Sequence, residues 1–130
     1  MFEKLEIFRM AQAMAVHASA RQSLIAENVA QADTPGYKAR DIASFAEMYR
    51  DQTKPQILRT TRPGHFGAAP PLQFSESLAV MSDGNESPNG NTVSLEAEMV
   101  KAADVRQEND MAIAIYKSAL GILRTSLGRR

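Results

Sequence analysis

Residues 94–127, SLEAEMVKAADVRQENDMAIAIYKSALGILRTSL, decide the fold class of this chain. Alternating steps of four and three residues connect a mostly apolar stripe through the segment, which comprises Leu95, Met99, Ala102, Arg106, Asn109, Ile113, Tyr116, Leu120, Leu123 and Leu127. This spacing is that of a coiled-coil seam. The segment therefore predicts one long helix, capped by Ser94 and lasting until Gly128.

A second stripe at the other end of the chain has the same spacing but smaller side chains. It comprises Phe8, Ala11, Ala15, Ala18, Gln22, Ile25 and Val29. We expect this first helix to begin near residues 2–4 and to end at about Ala32. Because small side chains allow helices to approach closely, the two segments are predicted to pair as an antiparallel, coiled-coil-like hairpin in a mainly α fold.

The segment that follows the first helix must turn sharply. Pro35 disfavours helical geometry in the residue before it, and Gly36 can take the positive φ that a type II turn needs after proline. A short second helix is expected next, capped by Asp41, with Ile42, Phe45 and Met48 or Tyr49 on one face, and ending before Pro55.

The rest of the middle of the chain predicts little regular structure. Residues 56–61 have the composition of one short strand at most, and the prolines and glycines of residues 62–91 break every long element. We therefore expect one axial domain built from both termini. It consists of an N-terminal helix in residues 1–34, an irregular middle in residues 35–91, and a C-terminal helix in residues 92–130.

Composition excludes several classes of protein. Fifteen basic and fifteen acidic residues give a net charge of zero, so nucleic acid is not an expected partner. The chain has no cysteine, which excludes disulfides and thiolate chemistry. The first residues lack the basic start and apolar run of a cleaved signal peptide. The longest apolar run, Met111–Tyr116, is far below the roughly 18 residues that span a bilayer.

No motif in the sequence predicts catalysis. There is no phosphate-binding glycine loop, no nucleophile elbow and no zinc-binding histidine pair. His17 and His65 are interpreted as surface or interface residues, and Asp83-Gly84-Asn85-Glu86 as a turn rather than a calcium loop. We therefore expect no catalytic residue, no metal, no cofactor and no small-molecule substrate.

The C-terminal helix carries more apolar surface than one partner helix can cover. Val100, Val105, Ile115 and Ile122 lie off the seam and widen its apolar face. Such a helix favours packing against copies of the same chain or against partner proteins. Two polar seam residues, Arg106 and Asn109, have two interpretations. They fix the register of the helices or the choice of partner, or the stripe rotates there and both side chains reach solvent.

One stretch identifies a family. Residues 27–38, ENVAQADTPGYK, resemble the signature of the rod and hook proteins of the bacterial flagellum, in which an Asn-Ile-Ala-Asn-like helix end precedes Thr-Pro-Gly-Tyr. Glu27 and Gln31 depart from that signature, where asparagine is common. Within the family, residues 38–41, 90–96 and 123–125 look most like the protein of the proximal rod.

The resemblance implies a function. Proteins of the proximal rod are structural subunits of an axial drive shaft that transmits torque and encloses the export channel in the periplasmic space. They reach it through the flagellar type III apparatus, without a cleaved signal peptide. Expected partners are copies of the chain, other rod proteins, and basal-body adaptor, export-gate and membrane-ring proteins. The turn residues would be Asn28, Thr34, Pro35, Gly36 and Tyr37, and the two stripes would form the assembly interface.

An alternative without this resemblance is a soluble cytoplasmic helical adaptor or binding protein. In that case the two stripes would close on each other and the irregular middle would bind one partner.

Overall fold

A computed structural model describes residues 2–53, 79–82 and 85–128 of the chain. In chain order they form helix α1 (Phe2–Ala30), strand β1 (Arg40–Asp41), helix α2 (Phe45–Thr53), strand β2 (Val80–Met81) and helix α3 (Leu95–Ser126). α1 packs against α3, and the two short strands form an antiparallel pair. The predicted mainly helical fold with two long terminal helices is confirmed.

The two long helices run antiparallel. At one end, the rings of Phe8 and Tyr116 meet edge to face with centroids 5.2 Å apart. At the other end, the Asn28 side chain lies 3.1 Å from the Glu98 carboxylate. Between them Ala18, Ile25 and Val105 form a buried cluster. The hairpin expected from the two stripes is therefore present.

The face of α3 that α1 covers differs from the predicted seam. The buried residues of α3 are Glu98, Val105 and Ala112, one position away from the stripe members Met99, Arg106 and Ile113. Most members of the predicted stripe have large side chains. The alanine-rich face of α1 instead leaves room for close contact with a valine and an alanine seven residues apart. Much of the predicted stripe is consequently exposed in this chain.

Both ends of α3 follow local rules. The Ser94 side chain accepts a hydrogen bond from the Ala97 backbone N–H at 3.4 Å, which makes Ser94 the predicted N-cap. After the last turn, Gly128 has a φ of +82°, the left-handed conformation typical of the residue after a helix end.

The start of α2 corrects a prediction. Asp41 belongs to β1 and does not cap the helix. Ser44 stands just before α2, where its hydroxyl and backbone N–H both donate to the Glu47 carboxylate and its carbonyl accepts from Met48. Asp41 is unavailable as a cap because its carboxylate binds side chains on both long helices.

The β structure expected in the middle of the chain is present, but in residues that the sequence did not predict as strands. Arg40 pairs with Met81, and Asp41 pairs with Val80. The short strand expected in residues 56–61 lies outside the described residues. The division of the chain at residues 34 and 91 stays a prediction.

The close approach of α1 and α3 predicts the effect of enlarging one alanine. Ala112 is 1 % exposed, so Ala112→Leu should overpack the helix pair and lower the free energy of unfolding by about 1–3 kcal/mol. Ala114→Leu is the matched control, because Ala114 is exposed on α3. It should change stability by less than about 0.5 kcal/mol. Urea unfolding followed by circular dichroism compares them, and equal stabilities would contradict the packing described.

Candidate functional site

The turn after α1 has the conformation that its sequence predicts. The Tyr37 backbone N–H donates to the Thr34 carbonyl at 3.3 Å, which closes a four-residue turn with Pro35 and Gly36 at its centre. Gly36 has a φ of +73°. Proline followed by glycine at positive φ is the arrangement of a type II turn. After the turn the chain runs back along α1, and we call residues 37–44 the returning chain.

Asn28 fastens the returning chain to both long helices. Its side chain is fully buried. The amide nitrogen donates to the Arg40 carbonyl at 2.8 Å and to the Glu98 carboxylate at 3.1 Å. The amide oxygen accepts from the Arg40 N–H at 3.0 Å and from the Tyr37 hydroxyl at 3.3 Å. A side-chain amide has two donors and two acceptor sites, so Asn28 uses its full capacity.

Asn91 binds the turn that follows α1. It is 2 % exposed, and its amide nitrogen lies 2.8–3.0 Å from the carbonyl oxygens of Gln31, Ala32 and Thr34. Its amide oxygen accepts from the Val93 N–H at 2.7 Å. These three carbonyls belong to the turn that follows α1, and Asn91 binds them from a segment about sixty residues further along the chain.

The segment before α3 lies against the turn at Gly36 and Gly90. The Gly36 N–H donates to the Asn89 carbonyl at 3.0 Å. Gly90 has a φ of +80°, and a Cβ atom placed there would lie 3.4 Å from the Gly36 Cα. The Thr92 N–H donates to the Tyr37 carbonyl at 3.1 Å, which extends the contact. We call this arrangement of the turn, Asn28 and Asn91 the turn clamp.

An ionic network continues from the turn clamp across the helix pair. The Asp41 carboxylate accepts from the Arg21 guanidinium at 2.9 and 3.2 Å and lies 3.3 Å from the Lys101 ammonium. Lys101 also lies 2.9 Å from Glu98, whose carboxylate binds Asn28. The network therefore links α1, β1 and α3.

Proton affinities follow from these contacts. Partial burial acts to raise the pKa of Asp41, but hydrogen bonds from Arg21 and the Ile42 amide and the charge of Lys101 outweigh it, so this pKa lies below its ordinary value. Burial acts to lower the pKa of Lys101, and the carboxylates of Glu98 and Asp41 outweigh it, so that pKa is raised. Both groups stay charged at neutral pH.

His17 is a buried residue of the helix pair, which corrects its interpretation as a surface or interface histidine. Its side chain has no exposed surface. The Nε2 atom donates to the Ala43 carbonyl at 2.9 Å, and the ring meets Phe45 with centroids 5.7 Å apart. His17 therefore fastens the start of α2 to α1. His65 lies outside the described residues.

The predicted assembly residues on α1 fall into two groups. The buried or half-buried group comprises Phe8, Ala11, Ala15, Ala18 and Ile25. Of these, Phe8, Ala18 and Ile25 pack against α3. Val29, at 42 % exposed, remains accessible.

On α3 the division is different. The partly buried members are Ala102, Asn109, Leu120 and Leu123. The exposed members are Leu95, Met99, Arg106, Ile113, Tyr116 and Leu127. A single chain thus leaves several large apolar side chains of the predicted interface exposed.

Sequence reasoning missed Asn91 as a clamp residue and Asp41 as an ionic centre. Asn91 stood only within a family-like stretch, and no local signal reveals partners that lie far away in the chain.

Within residues 2–53, 79–82 and 85–128, no group of three or more histidine, aspartate or glutamate residues is placed to hold a metal ion. Among the described helices, none combines the length and hydropathy that a bilayer crossing needs.

Comparison with known proteins identifies the family. The flagellar basal body rod protein FlgB of Cereibacter sphaeroides (strain ATCC 17029) is 33 % identical over 88 % of this chain and 92 % of its own length. This chain belongs to the FlgB family. The FlgB proteins of Escherichia coli K12, at 32 % identity, and Agrobacterium fabrum, at 29 %, each match over 88 % of their own length. No family model matches the chain.

The matches confirm the family inferred from residues 27–38. Because each extends over nearly the whole of both proteins, the relationship does not rest on one motif alone.

Replacing Asn28 should weaken the turn clamp strongly. Asn28→Asp removes both donors and puts a second carboxylate beside Glu98. We expect the free energy of unfolding to fall by about 3 kcal/mol, because buried polar groups lose their partners. The exposed Asn85 supplies the matched control, Asn85→Asp, which should be nearly neutral. If chemical denaturation gives the two variants the same stability, Asn28 does not hold the returning chain.

The Asp41 contacts predict a pH dependence. Because its pKa is lower in the folded chain, Asp41 stabilises the fold above the unfolded value of about 3.9, and this stabilisation is lost as pH falls through the folded pKa. The wild type should therefore exceed Asp41→Asn in stability at neutral pH, and the difference should shrink below about pH 4.

Unfolding free energies measured from pH 7 down to pH 3 check this, with Asp110→Asn as the control at an exposed position of α3. A difference that stays constant over this range would contradict the ionic network.

Proposed function

We propose that this chain is a structural subunit of the rod of the bacterial flagellar basal body. The single observation that carries the proposal is the near full-length similarity to FlgB proteins, whose names state this role. The similarity covers 88–89 % of this chain. The proposed activity is non-covalent assembly rather than catalysis.

The surface of α3 supports an assembly role. Large apolar side chains remain exposed on it, including Met99 at 69 %, Val100 at 63 % and Ile122 at 57 %. Burying one such side chain contributes about 1.5–3 kcal/mol. Several contacts between subunits would therefore offset the cost of ordering two chains against each other. Contacts of the head-to-tail type extend without closing and produce tubes.

We also infer where in the rod the chain lies. Its place would be in the proximal part of the rod, in the periplasmic space, within the shaft that transmits torque and surrounds the export channel. Copies of the chain and other rod proteins would be its neighbours, with adaptor, export-gate and membrane-ring proteins nearby. The chain would reach the rod through the flagellar type III apparatus. The similarity to FlgB proteins supports this assignment, and no comparison favours the adaptor alternative.

Deleting the gene in the bacterium that carries it tests the function. Cells without the chain should lack rods and should not swim, and the restored wild-type gene should return both. An affinity-tagged copy should purify with basal bodies. Normal swimming in the deletion strain, or purified basal bodies that lack the chain, would overturn the proposal.

Gly36 and Gly121 form a matched pair for testing the turn in the same strain. A Cβ atom at either position meets nothing within 4 Å, but only Gly36 has a positive φ, of +73°. Gly36→Ala should therefore cost about 1–2 kcal/mol of backbone strain and reduce rod formation. Gly121→Ala should leave rods intact.

Gly36→Asn should recover part of the loss, because asparagine tolerates the left-handed conformation. Equal swimming of the Gly36→Ala and Gly121→Ala strains would show that the turn geometry is not needed for assembly. The double variant Pro35→Ala/Gly36→Ala provides the more severe form of the same test.

A further inference from the structure

An open groove runs between the two long helices, on the side away from the returning chain. It has a volume of about 890 Å³, and its α1 wall includes Ser19, Gln22 and Ser23. The contacts of α1 with the returning chain come from a different face, through His17 and Arg21. The returning chain therefore covers one side of the hairpin and leaves the groove open.

The groove is shaped for a helix rather than for a small molecule. Alanines line both walls, with Ala18 and Ala26 on α1 facing Ala102 on α3. The lined part of α1 extends over about 12 Å, or a little more than two turns. Small residues along such a length let a third helix approach both walls closely. Arg106 is the only charged residue in the lining of this groove.

A row of exposed side chains on α3 has the complementary character. Val100, Asp104, Met111 and Ile122 are separated by four, seven and eleven residues, which places them on one face of the helix. The apolar members are 63 %, 49 % and 57 % exposed in chain order. We call this row the outer flank. It shares no residue with the groove.

Charge selects between possible occupants. Arg106 and Asp104 are both exposed, and within the described residues neither forms an ion pair. With Asp104 beside Arg106 of another copy, Val100 lies about 6 Å along the helix on one side and Met111 about 10 Å on the other. One contact would then pair opposite charges and cover large apolar side chains with alanine walls.

We propose that the groove of one copy of this chain receives the outer flank of α3 from a second copy. The inference rests on the proposed function as a rod subunit and names the faces that meet. Groove and outer flank are different surfaces, so each copy offers both halves of the contact. Such a heterologous contact repeats from copy to copy without closing on itself.

Exchange of charge across the contact tests the inference in a strain whose own gene has been deleted. Arg106→Asp and Asp104→Arg should each lower the yield of basal bodies that contain the chain by at least about fivefold, because each puts like charges together. The double variant Asp104→Arg/Arg106→Asp should restore most of the yield. Lys117→Asp makes the same change of charge at an exposed α3 position outside the groove, and it should have little effect.

Circular dichroism of the purified variants separates a folding defect from an assembly defect. The inference is overturned if the folded single variants assemble like Lys117→Asp. It is also overturned if the folded double variant fails to recover.

Cysteine cross-linking tests the contact between groove and outer flank independently, because the natural chain has no cysteine. Ser23→Cys places a thiol in the groove, and Met111→Cys places one on the outer flank. Cells that express both single variants should yield a cross-linked species with one copy of each. The double variant should yield a ladder of higher oligomers. Neither single variant should cross-link to itself.

Each other outcome has a definite meaning. A Ser23→Cys dimer would indicate a symmetric contact and overturn the inference, as would a cross-link from the groove to a different polypeptide. Basal bodies that contain the chain but give no Ser23 to Met111 link would overturn this inference alone. Absence of the wild-type chain from basal bodies would instead overturn the proposed function.

Discussion

The four hydrogen bonds of Asn28 are the interaction on which the rest of this structure depends. They join α1 to the backbone of Arg40, to the hydroxyl of Tyr37 and to the carboxylate of Glu98 on α3. All of these groups would be costly to bury without partners. Because one side chain satisfies them together, the returning chain and α3 are held at one register on α1.

This constraint matters because the apolar contact between the helices is weakly specific. The buried cluster contains Ala18, Ile25 and Val105, and alanines supply much of the remaining contact. Alanine surfaces pack closely at more than one register, whereas a buried polar group accepts few arrangements. The ionic network centred on Asp41 adds a second fixed point, one turn of α3 beyond Glu98 at Lys101. We expect these polar contacts to set the alignment that the apolar contacts then stabilise.

How well the sequence predicts a contact depends on how far apart its two partners lie along the chain. Gly36 and Ser94 obey rules that involve neighbouring residues only, and their conformations followed directly from the sequence. The stripe of large apolar residues predicted the helix pair but missed the covered face by one position, since the closest contacts use Val105 and Ala112. The sequence predicts Asp41 as the cap of the nearest helix, although its partners are Arg21 and Lys101. Asn91 carried no local signal, because its partners lie about sixty residues earlier in the chain.

The hydrogen exchange rate of the Arg40 backbone amide tests the central role of Asn28 most directly. This N–H donates to the Asn28 side chain at 3.0 Å, so its exchange reports on openings that break that contact. The account predicts that the Arg40 amide exchanges as slowly as the amides of Ile25 and Val105 in the helix pair. An Arg40 amide that exchanges as fast as an unstructured peptide, while the helix amides stay protected, would contradict it.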